Sequence, residues 1–288
     1  MKRETIGLIG IGNIGTVFAE ALGGAGYAVL GFSKPPPAGF AGTIAPHPRA
    51  VAEGAGVVLL CLPTEAAARD GYYGESGLLA GLRAGQVVLD LASYTLDFKR
   101  SLAEAAAARG ATLLDGEVSG TPDMLRARTG VVFLGGETAA MDRVEPLLGT
   151  VVDRVFRLGA FGQATRMKLI NNLLSTVHTM AAAEAMALGT KVGFDPALLA
   201  EILAAGSGSS KFLISRAPMM AARDFEAGSG GLMVVRKYLE HIPELAEEVD
   251  APTPLLDTAR LWFERAIAEG HGQEDIAVVY ETLLGAHR

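Results

Sequence analysis

The chain has 288 residues, a formal net charge of -7 and 20% charged residues: its length asks for two domains, and its composition is that of globular rather than disordered proteins. An acidic balance without clustered Lys and Arg excludes nucleic acid as a partner, because phosphate neutralisation needs basic groups. No run reaches ~18 residues without a polar interruption, which excludes a membrane span, and the single cysteine, Cys61, excludes an intrachain disulfide and reads as a buried core thiol.

Met1-Lys2-Arg3 leads directly into an apolar strand with no h-region, so the expected location is cytoplasmic. Short β-branched runs then alternate with amphipathic stretches: Thr5–Ile9, Ala28–Phe32, 57–62, 86–90, 112–115, 131–134 and 151–156. That rhythm predicts an α/β fold, a Rossmann-type, mostly parallel sheet with helices on both faces. Pro35-Pro36-Pro37 marks a rigid loop after the second strand. From residue 159 strand-like runs stop, and an alanine-rich stretch reaching Val192-Gly193 predicts an interdomain helix about 45 Å long. Beyond it, Asp195-Pro196, Ser207 to Ser210, Ser229, Thr253-Pro254 and Glu274-Asp275 each offer a helix start. The expected organisation is a dinucleotide-binding domain over 1–160 and an all-α substrate and oligomerisation domain over 161–288.

Gly10-Ile11-Gly12-Asn13-Ile14-Gly15 follows the first strand and opens a helical pattern running to Gly23. The first glycine permits a tight turn, the second lets backbone approach a pyrophosphate, and the third packs helix on strand. In this context the motif points to NAD(P). At the end of the second strand, where an NAD site places a carboxylate for the ribose 2′-hydroxyl, stand Gly31-Phe32-Ser33-Lys34. A hydroxyl and an ammonium suit a 2′-phosphate, so the expected cofactor is NADP(H), with NAD(H) possible if Lys34 is an ordinary loop charge.

Helical spacing aligns Lys168, Asn172, Ser175 and Thr179 along one face of the long helix. Such a stripe either lines a cleft, where a partly desolvated lysine exchanges protons with a substrate hydroxyl, or is a solvated face. His178 points about 80° away and reads as an interior histidine. His47, His241, His271 and His287 pair with no carboxylate or cysteine at metal-ligand spacing, so no metal is expected.

With these motifs in order, the chain resembles the β-hydroxyacid dehydrogenase family. The resemblance runs from about Thr5 to Leu284. Beyond the glycine motif it rests on Leu62-Pro63, Asp90-Leu91-Ala92-Ser93, Asp115-Gly116-Glu117-Val118-Ser119-Gly120, residues 162–172 and Lys237-Tyr238-Leu239. It implies that Lys168 is the general acid/base and that Asn172 orients the substrate. It also implies that Ser119, Gly120 and the adjoining Thr121 hold the substrate carboxylate, and that Leu62, Pro63, Ser93 and Lys237 contact the cofactor. Residues 164–168 and 216–220 look closest to the threonate dehydrogenase-like branch. Two departures stand out: Thr121-Pro122 stands where many relatives have a second glycine after Ser-Gly, with Pro122 offering no N–H donor, and Tyr238 replaces a common aspartate.

The expected function is hydride transfer between the nicotinamide and a small 3-hydroxy acid or its semialdehyde. An imine reductase-like activity and a non-catalytic dinucleotide sensor are the alternatives on the same fold. Alanine- and leucine-rich helices suggest a homo-oligomer, dimer or tetramer. Arg126, Arg128 and Lys211 are candidates for a second charged group of the substrate, or plain surface charges.

Overall fold

In a computed structural model that describes residues 4–227 and 231–285, strand and helix alternate through the first half of the chain. Ser229, His287 and Met1-Lys2-Arg3 lie outside the described residues. The strands are β1 (Thr5–Ile9), β2 (Ala28–Phe32), β3 (Thr43–Ile44), β4 (Val57–Leu60), β5 (Val87–Asp90), β6 (Thr112–Ser119), β7 (Val131–Gly135) and β8 (Arg154–Arg157). The accompanying helices are α1 (Asn13–Gly24), α2 (Pro48–Gly54), α3 (Glu65–Tyr72), α4 (Leu78–Gly81), α5 (Leu96–Ala107), α6 (Pro122–Arg126) and α7 (Thr138–Leu148). One sheet joins the strands in the order β3-β2-β1-β4-β5-β6-β7-β8, parallel throughout except between β6 and β7.

Alternation within the strands explains the covering of both faces. Ile6, Leu8, Val57, Leu59, Val87 and Leu89 pack into one core, while Ile9, Val58, Leu60 and Val88 pack into the other. Strands buried on both sides read as continuous apolar runs, which is why the sequence displays them. Each large apolar side chain so buried contributes roughly 1.5–3 kcal/mol.

Several details depart from the pattern expected from the sequence, among them β8, which starts at Arg154 rather than at 151. β3 carries no recognisable signal, because its two residues form an exposed edge after the proline loop. β4 stops at Leu60, so Cys61-Leu62-Pro63 forms the turn after it. Cys61 itself is half-buried rather than enclosed, and burial followed by the charge of Asp90 pushes its thiol up. β6 continues past Asp115 to Ser119, since Glu117 is buried with partners instead of ending the strand.

The chain divides into two compact units, Met1–Lys168 and Leu169–Arg288. Helix α8 (Gln163–Val192) runs unbroken across the division. The second unit continues with α9 (Pro196–Ala205), α10 (Lys211–Ala222), α11 (Leu232–Glu248) and α12 (Pro254–Ala266), a π turn at Ile267–His271, a 3-10 turn at Ile276–Val278 and α13 (Val279–Gly285). Asp195 and Ser210 accept from the N–H groups of Leu198 and Leu213, and Asp275 accepts from Ala277, so these helix starts have the caps the sequence announced. Among the described residues no helix is long and apolar enough to cross a membrane.

Candidate active site

The sheet order reverses beside β1, which lies between β2 and β4. In open α/β sheets ligands bind at such a switch point, outside the carboxyl ends of the strands. Apart from Lys168 on α8, the expected site residues of the first unit gather at or just after strand carboxyl ends: Gly10 after β1, Ser33 and Lys34 after β2, Leu62 and Pro63 after β4, Ser93 after β5, and Ser119 with Gly120 at the end of β6.

Gly10 adopts a φ of +92°, and a Cβ there would stand 2.5 Å from the Cys61 carbonyl oxygen. Its N–H donates to the Phe32 oxygen at 2.9 Å, which pins the turn to the end of β2. At Gly15 a Cβ would come within 2.0 Å of the Gly10 oxygen, so the helix can start this close only without a side chain. Gly12 has open space, Gly12 and Asn13 are exposed, and the α1 N-terminus receives no side-chain cap. Ile11 is buried and Ile14 half-buried, both anchoring the turn to the core. After β2, Ser33 is half-buried and Lys34 exposed, with its Nζ 5.9 Å from the centre of the Phe32 ring. Tyr94 donates its hydroxyl to the Leu62 oxygen at 2.7 Å, fixing the turn that carries Leu62 and Pro63.

Lys168 closes the first unit, one turn into α8, where its Nζ donates to the Val118 oxygen at 2.7 Å. That bond brings the ammonium to the end of β6, next to Ser119 and Gly120. α8 starts where it does because Asp115 accepts the Thr165 N–H at 2.9 Å and the Thr165 hydroxyl at 2.7 Å, binding the helix start to the middle of β6. Thr121, expected at the substrate, accepts from the Met124 N–H at 3.3 Å and caps α6. Pro122 occupies the first turn of that helix, where a missing N–H costs no helical bond.

Beneath Lys168 lies a charged cluster that the sequence reading did not single out. Lys99 of α5 is fully buried, and its Nζ donates to Asp115 Oδ1 at 2.9 Å, to the Gly116 oxygen at 3.1 Å and to Glu117 Oε1 at 3.1 Å. The Ser93 hydroxyl donates to Glu117 Oε2 at 2.5 Å. Burial pushes Glu117 above the usual carboxylate range, against the opposing pull of Lys99, Lys168 and the Ser93 bond. Asp90, fully buried beside them, rises to about 7 through burial, with Lys99 opposing. Burial also works against the Asp115 carboxylate, yet Lys99 and the Thr165 bonds outweigh it and hold that group below its usual value. Lys99 was legible in one respect. It falls three and seven residues before Leu102 and Ala106, on the buried face of α5.

In the second unit Asn172, one turn beyond Lys168 on α8, is buried. The hydroxyls of Ser175 and Thr179 donate back to the helix carbonyls of Asn171 and Ser175, at 3.1 and 2.8 Å. His178 is half-buried. On α11, Lys237 is half-buried with its Nζ 5.1 Å from the centre of the Tyr238 ring. Of the candidate charged contacts, Arg128 is held by Asp153 and by the Gly149 and Thr150 oxygens, which removes it from consideration. Arg126 pairs on the surface with Glu20 and Asp123, and Lys211 is exposed. Among the described residues no group of three or more His, Cys, Asp or Glu is arranged to hold a metal ion.

Comparison with known proteins decides the family. Residues 5–159 match the model for the NAD binding domain of 6-phosphogluconate dehydrogenase. Residues 162–283 match that for the NAD-binding segment of NADP-dependent 3-hydroxyisobutyrate dehydrogenase. L-threonate dehydrogenase of Cupriavidus necator is 30% identical over 99% of this chain and 97% of its own. The chain belongs to the β-hydroxyacid dehydrogenase family. A second relative, 3-hydroxyisobutyrate dehydrogenase of Pseudomonas aeruginosa, is 34% identical over 93% of this chain and 94% of its own. The crystal structure of 3-hydroxyisobutyrate dehydrogenase from Salmonella typhimurium superposes with a TM-score of 0.88 at 25% identity, over 97% of this chain and all of that one.

A β-hydroxyacid dehydrogenase binds NAD(P), and the residues present fit a dinucleotide. The glycine turn leaves open space at Gly12, and an uncapped helix start leaves backbone N–H groups for an anion. Ser33 and Lys34 follow the strand that carries the ribose end in such folds, and no carboxylate stands at that strand end.

Proposed function

We propose that this β-hydroxyacid dehydrogenase prefers NADP(H), acts on a small 3-hydroxy acid or its semialdehyde, and uses Lys168 as general acid/base. The observation that carries the proposal is the Lys168 ammonium held on the Val118 oxygen at the end of β6. The dinucleotide, when bound, supplies hydride exchange at its nicotinamide. Lys168 supplies the proton. A lysine ammonium has three N–H bonds, and the one donated to Val118 fixes where the head stands. In reduction an N–H bond breaks as the substrate oxygen gains its proton, and in oxidation the neutral amine takes the hydroxyl proton back.

Ser119 offers a hydroxyl and Gly120 a backbone N–H to the substrate carboxylate, while Asn172 orients the substrate from the next turn of α8. Gly10 to Gly15 cradle the pyrophosphate, Leu62, Pro63, Ser93 and Lys237 contact the remainder of the cofactor, and Ser33 and Lys34 meet the 2′-phosphate. Relatives named for threonate and 3-hydroxyisobutyrate support a small hydroxy acid as substrate.

The test follows nicotinamide absorbance with NADPH and NADH against small semialdehydes and with NADP and NAD against 3-hydroxy acids. Lys168→Ala is expected to lose about 10²–10⁴-fold in turnover, the usual worth of a positioned acid/base, with NADPH affinity kept. Unchanged turnover in the variant would remove Lys168 from the mechanism. Tight NADPH binding without turnover on any substrate would favour the sensor alternative.

A further inference from the structure

The first unit encloses four charged side chains. Lys99 comes from α5, Asp90 from β5, Asp115 and Glu117 from β6, and all four are enclosed. Asp115 is spoken for twice, by the Lys99 ammonium and by the two bonds that start α8. Glu117 is differently placed. One oxygen receives Lys99, the other receives the hydroxyl of Ser93, and the residue stands immediately before Val118, whose carbonyl holds Lys168. A single buried cation thus faces several carboxylates, and the Lys168 ammonium also acts on Glu117.

We propose that Glu117 is a positioning residue: its negative charge keeps the Lys168 amine protonated and seated on Val118 until a substrate oxygen takes the proton, while Ser93 and Lys99 hold the carboxylate in place. The proposal rests on Lys168 being the acid/base. The groups facing Glu117 are Lys99 from α5, Asp115 from its own strand, Lys168 from α8, Ser93 from the turn after β5 and Asp90 from the end of β5. The two like charges and burial disfavour its ionised form, and the two lysines and the hydroxyl favour it. Electrostatic coupling is reciprocal, so a lysine that favours a charged Glu117 is itself favoured as ammonium by that charge. Proton transfer then leaves a neutral amine beside a buried carboxylate, whose charge favours its reprotonation by solvent water before the next turnover.

The experiment compares wild type, Lys168→Ala, Glu117→Gln and Glu117→Asp, with NADPH and the semialdehyde turned over best. Two pH profiles are recorded. One is kcat/KM for reduction, whose high-pH limb reports the loss of the ammonium. The other, read without turnover, is the rate at which an amine-reactive reagent modifies Lys168, followed by peptide mass mapping, since only the neutral amine reacts. Glu117→Gln is expected to move both profiles to lower pH by about one unit, an opposite charge having been removed, and Glu117→Asp is expected to restore most of the shift. If Lys168→Ala retains turnover, the acid/base assignment fails and the proposal with it. If Lys168→Ala is inactive while the Glu117→Gln profiles overlay wild type, the proposal alone is overturned. Should the Gln variant not fold, Ser93→Ala decides. Loss of the hydroxyl that steadies the carboxylate is expected to move the modification profile the same way by a smaller amount, and an unmoved profile overturns the proposal.

Discussion

The two units bury charge to different depths. In the helical unit the core is Met180, Met186, Leu199, Leu213, Met220, Leu232, Phe263 and their neighbours, and its buried hydroxyls Thr176 and Thr179 bond to carbonyls four residues back on their own helix. In the sheet unit Lys99 reaches 16 and 18 residues along the chain to Asp115 and Glu117. These hydroxyl bonds are local and neutral, and the helical unit's buried carboxylate, Asp275, meets an Arg216 that is still partly exposed; the sheet cluster is long-range, ionic and fully enclosed. Buried ion pairs are poor sources of stability, because desolvation consumes much of the Coulomb gain, and packed apolar side chains usually serve a core as well. A fold that stacks its ionic groups under one sheet end therefore concentrates them for another purpose, and that end is where the candidate acid/base sits.

The largest expected effect that sharpens this comparison is at Lys99. Lys99→Met keeps the aliphatic bulk but leaves Asp90, Asp115 and Glu117 without their shared cation. A loss of about 3–5 kcal/mol is expected, the usual result of breaking a buried ionic group on one side. Against a total stability of about 5–15 kcal/mol this is a large share. The loss should be greater at pH 8 than at pH 5, because carboxylates that take up protons no longer need the cation. Urea midpoints at the two pH values measure it. A loss equal at both would mean that Lys99 acts by packing alone, like a residue of the helical core.

The same contrast explains what was legible in the sequence. The glycine turn, the strand rhythm, the length of α8 and the caps at Asp195 and Ser210 depend on residues near one another in the chain, and each is found where the pattern placed it, the short β3 and the ends of β4, β6 and β8 excepted. Lys99 was not legible as a buried charge because its partners come from a strand whose alignment with α5 is set by the whole sheet. Beside Asp97 and Arg100 it looks like one more surface charge. Arg128 shows the same limit: its guanidinium suits an anion, while the fold uses it to tie β7's approach to the turn before β8.

Asp90 gives a second, smaller effect with a defined sign. Its carboxyl keeps a proton in the folded protein up to about pH 7 and in the unfolded chain only to about 3.8. Between these values the folded state binds more protons than the unfolded one, so the contribution of Asp90 is present at low pH and is lost as pH rises toward 7. Three units at about 1.4 kcal/mol each set the ceiling on the order of 4 kcal/mol. Asp90→Asn mimics the protonated form and can still accept from the Ala92 N–H. Wild type and variant should be close in stability near pH 4, with the variant gaining steadily up to pH 7 and no further change above it. Parallel stability curves over that range would show that Asp90 ionises freely where it stands.

The smallest expected effect lies in the helical unit and tests the other side of the comparison. Thr179 is fully buried on α8, and its hydroxyl donates to the Ser175 oxygen at 2.8 Å. Thr179→Val keeps the branched shape and its rotamer while deleting that bond. One neutral hydrogen bond is worth about 0.5–1.5 kcal/mol net, and back-bonding of this kind slightly weakens the helix that hosts it, so the two terms offset. The expected change in stability is within about 1 kcal/mol, with kcat/KM unaltered, although Thr179 lies on the same helix face as Lys168 and Asn172. A much larger loss, or a drop in turnover with stability kept, would mean that this hydroxyl serves more than its own helix. The polar stripe of α8 would then extend the site beyond Asn172, and the contrast between the enclosed ions of the sheet end and the local hydroxyl bonds of α8 would no longer hold.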